Sequence, residues 1–220
     1  MIQRVYEQAI KSKRLSYIVV ATDDDRIYNH VKSFGGNVLM TDTTHLNGTT
    51  RCNQVISLLE NQGKHFDVAI NIQGDEPYIN PIQIDSVVSI FDKGNVEIST
   101  LAKKIDSDEE LFDSNVVKVV FSKYNKALYF SRHAIPMVRG VEKLNWLNDF
   151  DFYKHIGIYG YKTDVLKKIA NMSTGRLEQA EKLEQLRWLE NGISISIHIT
   201  DYESIAIDTK NDLLKLETKR

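Results

Sequence analysis

Short apolar runs alternate with amphipathic stretches along this chain, and that alternation restricts the fold more than any other feature. Residues 1–10 put Ile2, Val5, Tyr6, Ala9 and Ile10 at helical spacing. Residues 17–21 read as a strand. Thr22 or Asp23 can cap the acid-rich helix that follows, which runs to Phe34 and stops at Gly35-Gly36. Next come a short strand at 38–40, a helix over 51–61, a buried strand at 66–70, and a helix that Pro81 opens and that runs to Phe91. After residue 95 strands dominate, at 97–102, 116–121, 127–130 and 152–161. A strong helix over 177–190, a cleanly alternating strand at 193–199 and a strand at 205–207 precede a terminal helix that starts at Asp208-Thr209. The pattern predicts an α/β fold, with a doubly wound and mostly parallel sheet, in one unit spanning 1–220. The β-rich stretch at about 96–160 is expected to be a small antiparallel excursion.

The 220 residues are 42% hydrophobic and 26% charged, as in an ordinary globular protein. A net charge of −2 implies no general attraction to nucleic acid. No apolar run approaches the ~20 residues of a membrane span, and the first residues do not resemble a signal peptide. A single cysteine, Cys52, cannot form an internal disulfide, which fits a reducing, cytoplasmic compartment. As a nucleophile it would want a histidine partner, and none is near it in sequence.

Chemistry concentrates at strand ends. The run 66–70 leads into Asn71-Ile72-Gln73-Gly74-Asp75-Glu76-Pro77. In open α/β sheets the carboxyl ends of strands are where ligands bind. A carboxylate there, behind the small Gly74, suits a hard cation such as Mg²⁺ that carries phosphates, although an acidic turn alone would read the same way. Asp208 stands at a second strand-to-helix junction; it can share that cation or simply cap the last helix. Gly48-Thr49-Thr50-Arg51 lies just ahead of a helix, where main-chain amides can hold an anion and Arg51 adds a five-donor fork. Arg132 ends a strand and can take a carboxylate bidentately, or be a solvent-exposed strand end. His155, Gly157 and Tyr159 share one strand face, which suits a packed ligand or a core histidine with a satisfied hydrogen bond. The 181–187 stretch reads by default as a solvated helix face.

Taken together, these segments resemble the 3-deoxy-manno-octulosonate (Kdo) cytidylyltransferase family. The matching residues are Val20-Ala21-Thr22-Asp23, Gly48-Thr49-Thr50-Arg51, Asn71 through Pro77, Val117-Lys118-Val119-Val120, Ala127 through Arg132, His155 through Tyr161, Leu183 through Arg187 and Ile207-Asp208-Thr209. They run in family order over nearly the whole chain. The resemblance implies that CMP passes from CTP to Kdo, giving CMP-Kdo and pyrophosphate for lipopolysaccharide synthesis. It implies Asp75 and Asp208 as the catalytic, Mg²⁺-holding acids. Gly48, Thr49, Arg51 and Gln73 would meet CTP, and Gln73, Arg132, His155, Tyr159, Glu184 and Gln185 would surround the sugar acid. It also implies a homodimer formed largely through the excursion. Two departures stand out. Thr50 occupies a position where the family carries an acid, and the family's first strand and triphosphate-gripping loop would precede Met1. A cytidylyltransferase for an 8-amino Kdo or a nonulosonate is the alternative within the superfamily. A non-catalytic nucleotide- or sugar-binding paralogue is the alternative outside it.

Overall fold

The computed structural model describes residues 1–203 and Ile207. It begins with α1 (Ile2–Ala9), β1 (Val20–Thr22), α2 (Asp25–Ser33), β2 (Val38–Met40), α3 (Gly48–Asn61), β3 (Val68–Asn71) and α4 (Pro81–Ser89). It continues with β4 (Ile98–Lys104), α5 (Asp108–Phe112), β5 (Lys118–Phe121), β6 (Ala127–Ser131), α6 (Trp146–Asp149) and β7 (Tyr153–Lys162). The last elements are α7 (Thr163–Ala170), α8 (Arg176–Glu181), α9 (Gln185–Glu190) and β8 (Ile195–Ile199). The expected strand at 205–207 and helix from Asp208 fall outside the described residues, apart from Ile207 itself.

The α/β class follows the alternation, and the sheet is mixed. β1 and β2 pair in parallel, as do β4 and β8. The long strand β7 runs antiparallel to β3, β4 and β5. Of the expected excursion at about 96–160, β4 and β7 belong to the main six-stranded sheet, and the β5–β6 antiparallel hairpin, turned at Asn125, is seated on β7 as its extension. Trp146, Phe152, Leu111, Ile105 and Ala134 form a small apolar cluster of their own beside it.

Local chemistry moves several boundaries. The cap of α2 is Asp24, whose carboxylate accepts from the amides of Arg26 and Ile27; Thr22 and Asp23 have other partners. α3 begins at Gly48, capped by Asn47, so Gly48 through Arg51 form its first turn instead of a loop ahead of it. α4 carries the expected Pro81 at its start, inside a capping box made by Asn80 and Gln83.

The single helix expected over 177–190 is two. Lys182, with φ of 55°, breaks it in the left-handed region. Tertiary contacts outweigh helical propensity at this point. Glu181 accepts from the Ser131 hydroxyl and the Arg132 amide, while Arg187 folds back onto Glu178 in a buried bidentate ion pair and donates to the Met172 carbonyl. The break turns Glu184 and Gln185 inward.

Among the described residues, β1 and β2 form a two-stranded sheet separate from the other six strands. Among the described residues neither β1 nor β3 has a second β partner on the side facing the other. Between them lies an apolar slot of about 740 Å³, walled by Val20, Val55, Ile56, Leu59, Val68 and Ile70 among others. α1 borders the slot, with Ile2 beside Gly74 at the carboxyl end of β3.

Candidate active site

Strand ends and helix starts converge beyond β1, β2 and β3. Arg51, in the first turn of α3, donates to the Thr41 hydroxyl at 2.6 Å and to the Asp23 carboxylate at 2.9 Å. Thr41 directly follows β2 and Asp23 directly follows β1, so one guanidinium ties the two strand ends to α3. The same bond holds Asp23 below the usual carboxylate range. Gly48 is seated on the last residue of β3: a Cβ there would lie 2.7 Å from Asn71 Nδ2, so a larger residue would have to push the Asn71 amide aside. Gln73, Asn47, Gly48 and Arg51 all border the carboxyl end of the slot.

Gly74 and Asp75 form the turn after β3. A methyl group at Gly74 would meet only the Ile2 Cδ1 atom, at an ordinary 3.7 Å, so packing within the described residues does not itself demand glycine there. The Asp75 carbonyl accepts from the Ile207 amide at 2.9 Å, which brings the end of the described chain onto this turn. The expected partner acid, Asp208, lies outside the described residues.

Of the residues assigned to the sugar acid, His155, Tyr159, Glu184 and Gln185 lie on β7 and at the start of α9, Arg132 follows β6, and Gln73 stays at the slot. His155 Nε2 is 2.9 Å from the Thr100 hydroxyl, and its ring sits between Phe130 and Tyr159 at centroid distances of 5.2 and 5.1 Å. Burial drives its pKa down to about 3, so it is neutral near pH 7. A register shift in the β4–β7 ladder, which pairs Thr100 with Tyr159 and Leu101 with Ile156, keeps His155 and Tyr159 in ring contact. Tyr159 packs edge-on against Trp188, and burial raises its phenol well above the ordinary range. Gln185 is buried, and Glu184 accepts from the Thr49 hydroxyl at 3.1 Å. Arg132 donates from Nε to the Glu181 carbonyl and from Nη1 to the Ser114 carbonyl, so main-chain oxygens already orient its guanidinium.

One expectation changes on this geometry. The 181–187 stretch is not a solvated face: Leu183, Gln185, Leu186 and Arg187 are buried, and burial raises Glu184 above the usual carboxylate range. Thr49 is 1% exposed, and its hydroxyl donates to Glu184, a residue that the resemblance assigns to the sugar acid. Burial pushes the Cys52 thiol up to about 12, which leaves it no nucleophilic thiolate. Sequence reasoning passed over Tyr161 and Trp188, whose hydroxyl and indole N–H are buried in the same aromatic group. Their signals were present: Tyr161 continues the alternation of His155 and Tyr159, and Trp188 stands four residues beyond Glu184.

A family model described as cytidylyltransferase matches residues 1–197. The chain is 49% identical over 219 residues to a 3-deoxy-manno-octulosonate cytidylyltransferase of Parabacteroides distasonis, covering 98% of this chain and 85% of that protein. It is 45% identical over 221 residues to an 8-amino-3,8-dideoxy-manno-octulosonate cytidylyltransferase of Shewanella frigidimarina, covering 100% of this chain and 87% of that one. A solved structure of a CMP:2-keto-3-deoxy-manno-octonic acid synthetase complexed with CTP superposes with a TM-score of 0.88 at 34% identity, over 99% of this chain and 86% of the other. A cytidylyltransferase from Leptospira borgpetersenii shares the fold at a TM-score of 0.57 and 14% identity. On these matches and this site, the chain belongs to the 3-deoxy-manno-octulosonate cytidylyltransferase family.

Proposed function

We propose that the protein transfers CMP from CTP to Kdo, releasing pyrophosphate. The observation that carries this reading is the superposition, over nearly the whole chain, on a CMP-Kdo synthetase structure holding CTP. Gly48, Arg51 and Gln73 face the nucleotide, while Gln73, Arg132, His155, Tyr159, Glu184 and Gln185 face the sugar acid. The anomeric hydroxyl of the sugar attacks the α-phosphorus, its proton is lost, and pyrophosphate departs. Chemistry of this type depends mostly on positioning and on charge stabilisation. The fixed guanidinium of Arg132 suits a carboxylate. Neutral His155 and the Tyr159 hydroxyl suit the sugar's hydroxyls.

Mg²⁺ belongs to this proposal. Among the described residues no three His, Cys, Asp or Glu side chains gather into a metal cage. Mg²⁺ does not require one, since it is commonly held by one or two carboxylates plus water and substrate phosphates. Asp75 has the right donor chemistry, and the residue next to Ile207 in the chain is Asp208. When bound, the ion would neutralise charge on the phosphates.

A homodimer is also part of the reading, supported by Leu128, Met137, Leu144 and Phe150, which are exposed on the excursion. Sedimentation velocity tests it. Among the described residues no helix is long and apolar enough to cross a membrane. We place the enzyme in the cytoplasm, where its nucleotide substrate would be made.

The Shewanella relative supports a second acceptor, the 8-amino sugar acid. Pyrophosphate release with CTP and Mg²⁺, with Kdo and 8-amino-Kdo offered separately, decides between them. The assay should be run on the 220 residues and on a version extended at its amino end by a strand and an Arg/Lys/Gly loop. The extended version is expected to turn over far faster, because several charge-assisted phosphate contacts would each contribute about 1.5–3 kcal/mol. Equal turnover would show that the loop is unnecessary, and no release with either acceptor would defeat the assignment.

A further inference from the structure

We propose that Thr49 is a positioning residue for the acceptor: its hydroxyl sets the rotamer of Glu184 and so aims the second carboxylate oxygen at a hydroxyl of the sugar acid. This rests on the activity proposed above. Thr49 stands in the first turn of α3 and is all but fully buried. Its hydroxyl donates to Glu184 Oε2 at 3.1 Å, joining α3 to the start of α9 across 135 positions of sequence. The other oxygen, Glu184 Oε1, is buried and has no hydrogen-bond partner in the ligand-free protein. An interior carboxylate holding one neutral donor is under-solvated, and it gains from any O–H brought to its open oxygen.

A second observation points to a hydroxyl-bearing ligand. The Tyr159 hydroxyl and the Trp188 indole N–H are also buried without partners, on rings whose centroids are 5.2 Å apart. Donors and an acceptor left open together on adjoining side chains suit a polyhydroxylated molecule better than an apolar one.

A glutamate has several rotatable bonds, so its open oxygen is aimed only if the other oxygen is tethered. Thr49 supplies the tether, and Gly48 beside it is wedged against Asn71. The nucleotide-side helix therefore fixes a sugar-side carboxylate. The charged and titratable groups that bear on Glu184 are Arg187 and Glu178 from the α8–α9 pair, Cys52 from α3, and Tyr159 and Tyr161 from β7.

The test compares Thr49→Val, which keeps the shape and loses the hydroxyl, with Thr49→Ser, which keeps the hydroxyl. The first measurement needs no substrate. The Glu184 carboxyl is titrated by difference infrared spectroscopy, with Glu184→Gln as reference. Losing a donor to the ionised form should move the midpoint upward by about half to one pH unit in Thr49→Val and leave Thr49→Ser near the parent. The second measurement is initial-rate kinetics: kcat/KM for the sugar acid should fall about tenfold in Thr49→Val, with KM for CTP within about twofold and Thr49→Ser close to the parent. A midpoint that does not move, or an equal loss towards both substrates, overturns the positioning role. A parent protein that releases no pyrophosphate with any sugar acid overturns the activity reading instead, and the infrared midpoint still judges the Thr49–Glu184 tether.

Discussion

Arg187 closes on Glu178 with both guanidinium ends, its Nε and Nη2 each 2.6 Å from a carboxylate oxygen, inside a helix pair bent at Lys182. Both side chains are largely buried, at 8% and 13% exposure. Removing one partner strands the other charge in the interior. Arg187→Met should therefore destabilise the protein by about 3 kcal/mol or more, and Glu178→Gln by a similar amount. Replacing both should cost less than the sum of the two. A double-mutant cycle from urea denaturation checks this, and additive losses would mean that the pair is not coupled.

The proposed metal role of Asp75 predicts a loss of activity without a loss of fold. Asp75→Asn and Asp208→Asn are each expected to abolish Mg²⁺-dependent pyrophosphate release while leaving circular dichroism unchanged, since a lost metal ligand forfeits several kcal/mol of charge neutralisation. If Asp208→Asn retains full activity and melts lower, Asp208 is a helix cap and no more.

The two halves of the site should separate kinetically. Arg132→Lys keeps the charge but loses the planar fork, so KM for the sugar acid should rise far more than KM for CTP. His155→Ala should show the same asymmetry. Arg51→Ala should do the reverse, because it unties the ends of β1 and β2 from α3, the helix proposed to meet CTP. Both Michaelis constants, measured for all three variants, test the division. Uniform effects would collapse it.

His155 gives a pH signature. Its folded pKa of about 3 lies below the ordinary 6.5, so the unfolded chain binds the proton more readily. Stability from this residue is complete above pH 6.5 and is lost as pH falls towards 3. The thermal midpoint of the parent should drop through that window, and His155→Gln should drop less. Parallel curves would show that His155 is freely protonated in the fold.

The Gly35-Gly36 stop and Pro81 start were legible because each acts on its own few residues. The contacts within the β7–α9 cluster could not be read from sequence order. The Thr49–Glu184 bond and the bend at Lys182 both depend on distant partners, and a helical spacing pattern carries no sign of them. The same limit explains why Arg187, read as a solvated charge, is interior. At β1 the reading was too long by three residues at its start, since residues 17–19 have apolar character but lack the pairing that Val20–Thr22 find in β2.

The slot between β1 and β3 also bears on how the molecule opens. Among the described residues no ladder of main-chain hydrogen bonds crosses it, so α1, β1, α2 and β2 are joined to the rest of the fold through side chains, among them Arg51 on Asp23 and Thr41, and Asp85 on residues 12–14. Sub-global unfolding tends to stop where backbone pairing stops. The amides of Ala21 and Leu39 should then exchange with solvent through a smaller opening than those of Ile158 or Leu101, although all four sit in strands. Whatever strand came to lie in the slot would convert two cooperative units into one, and a rise in protection at Ala21 would register that fusion before any turnover was measured.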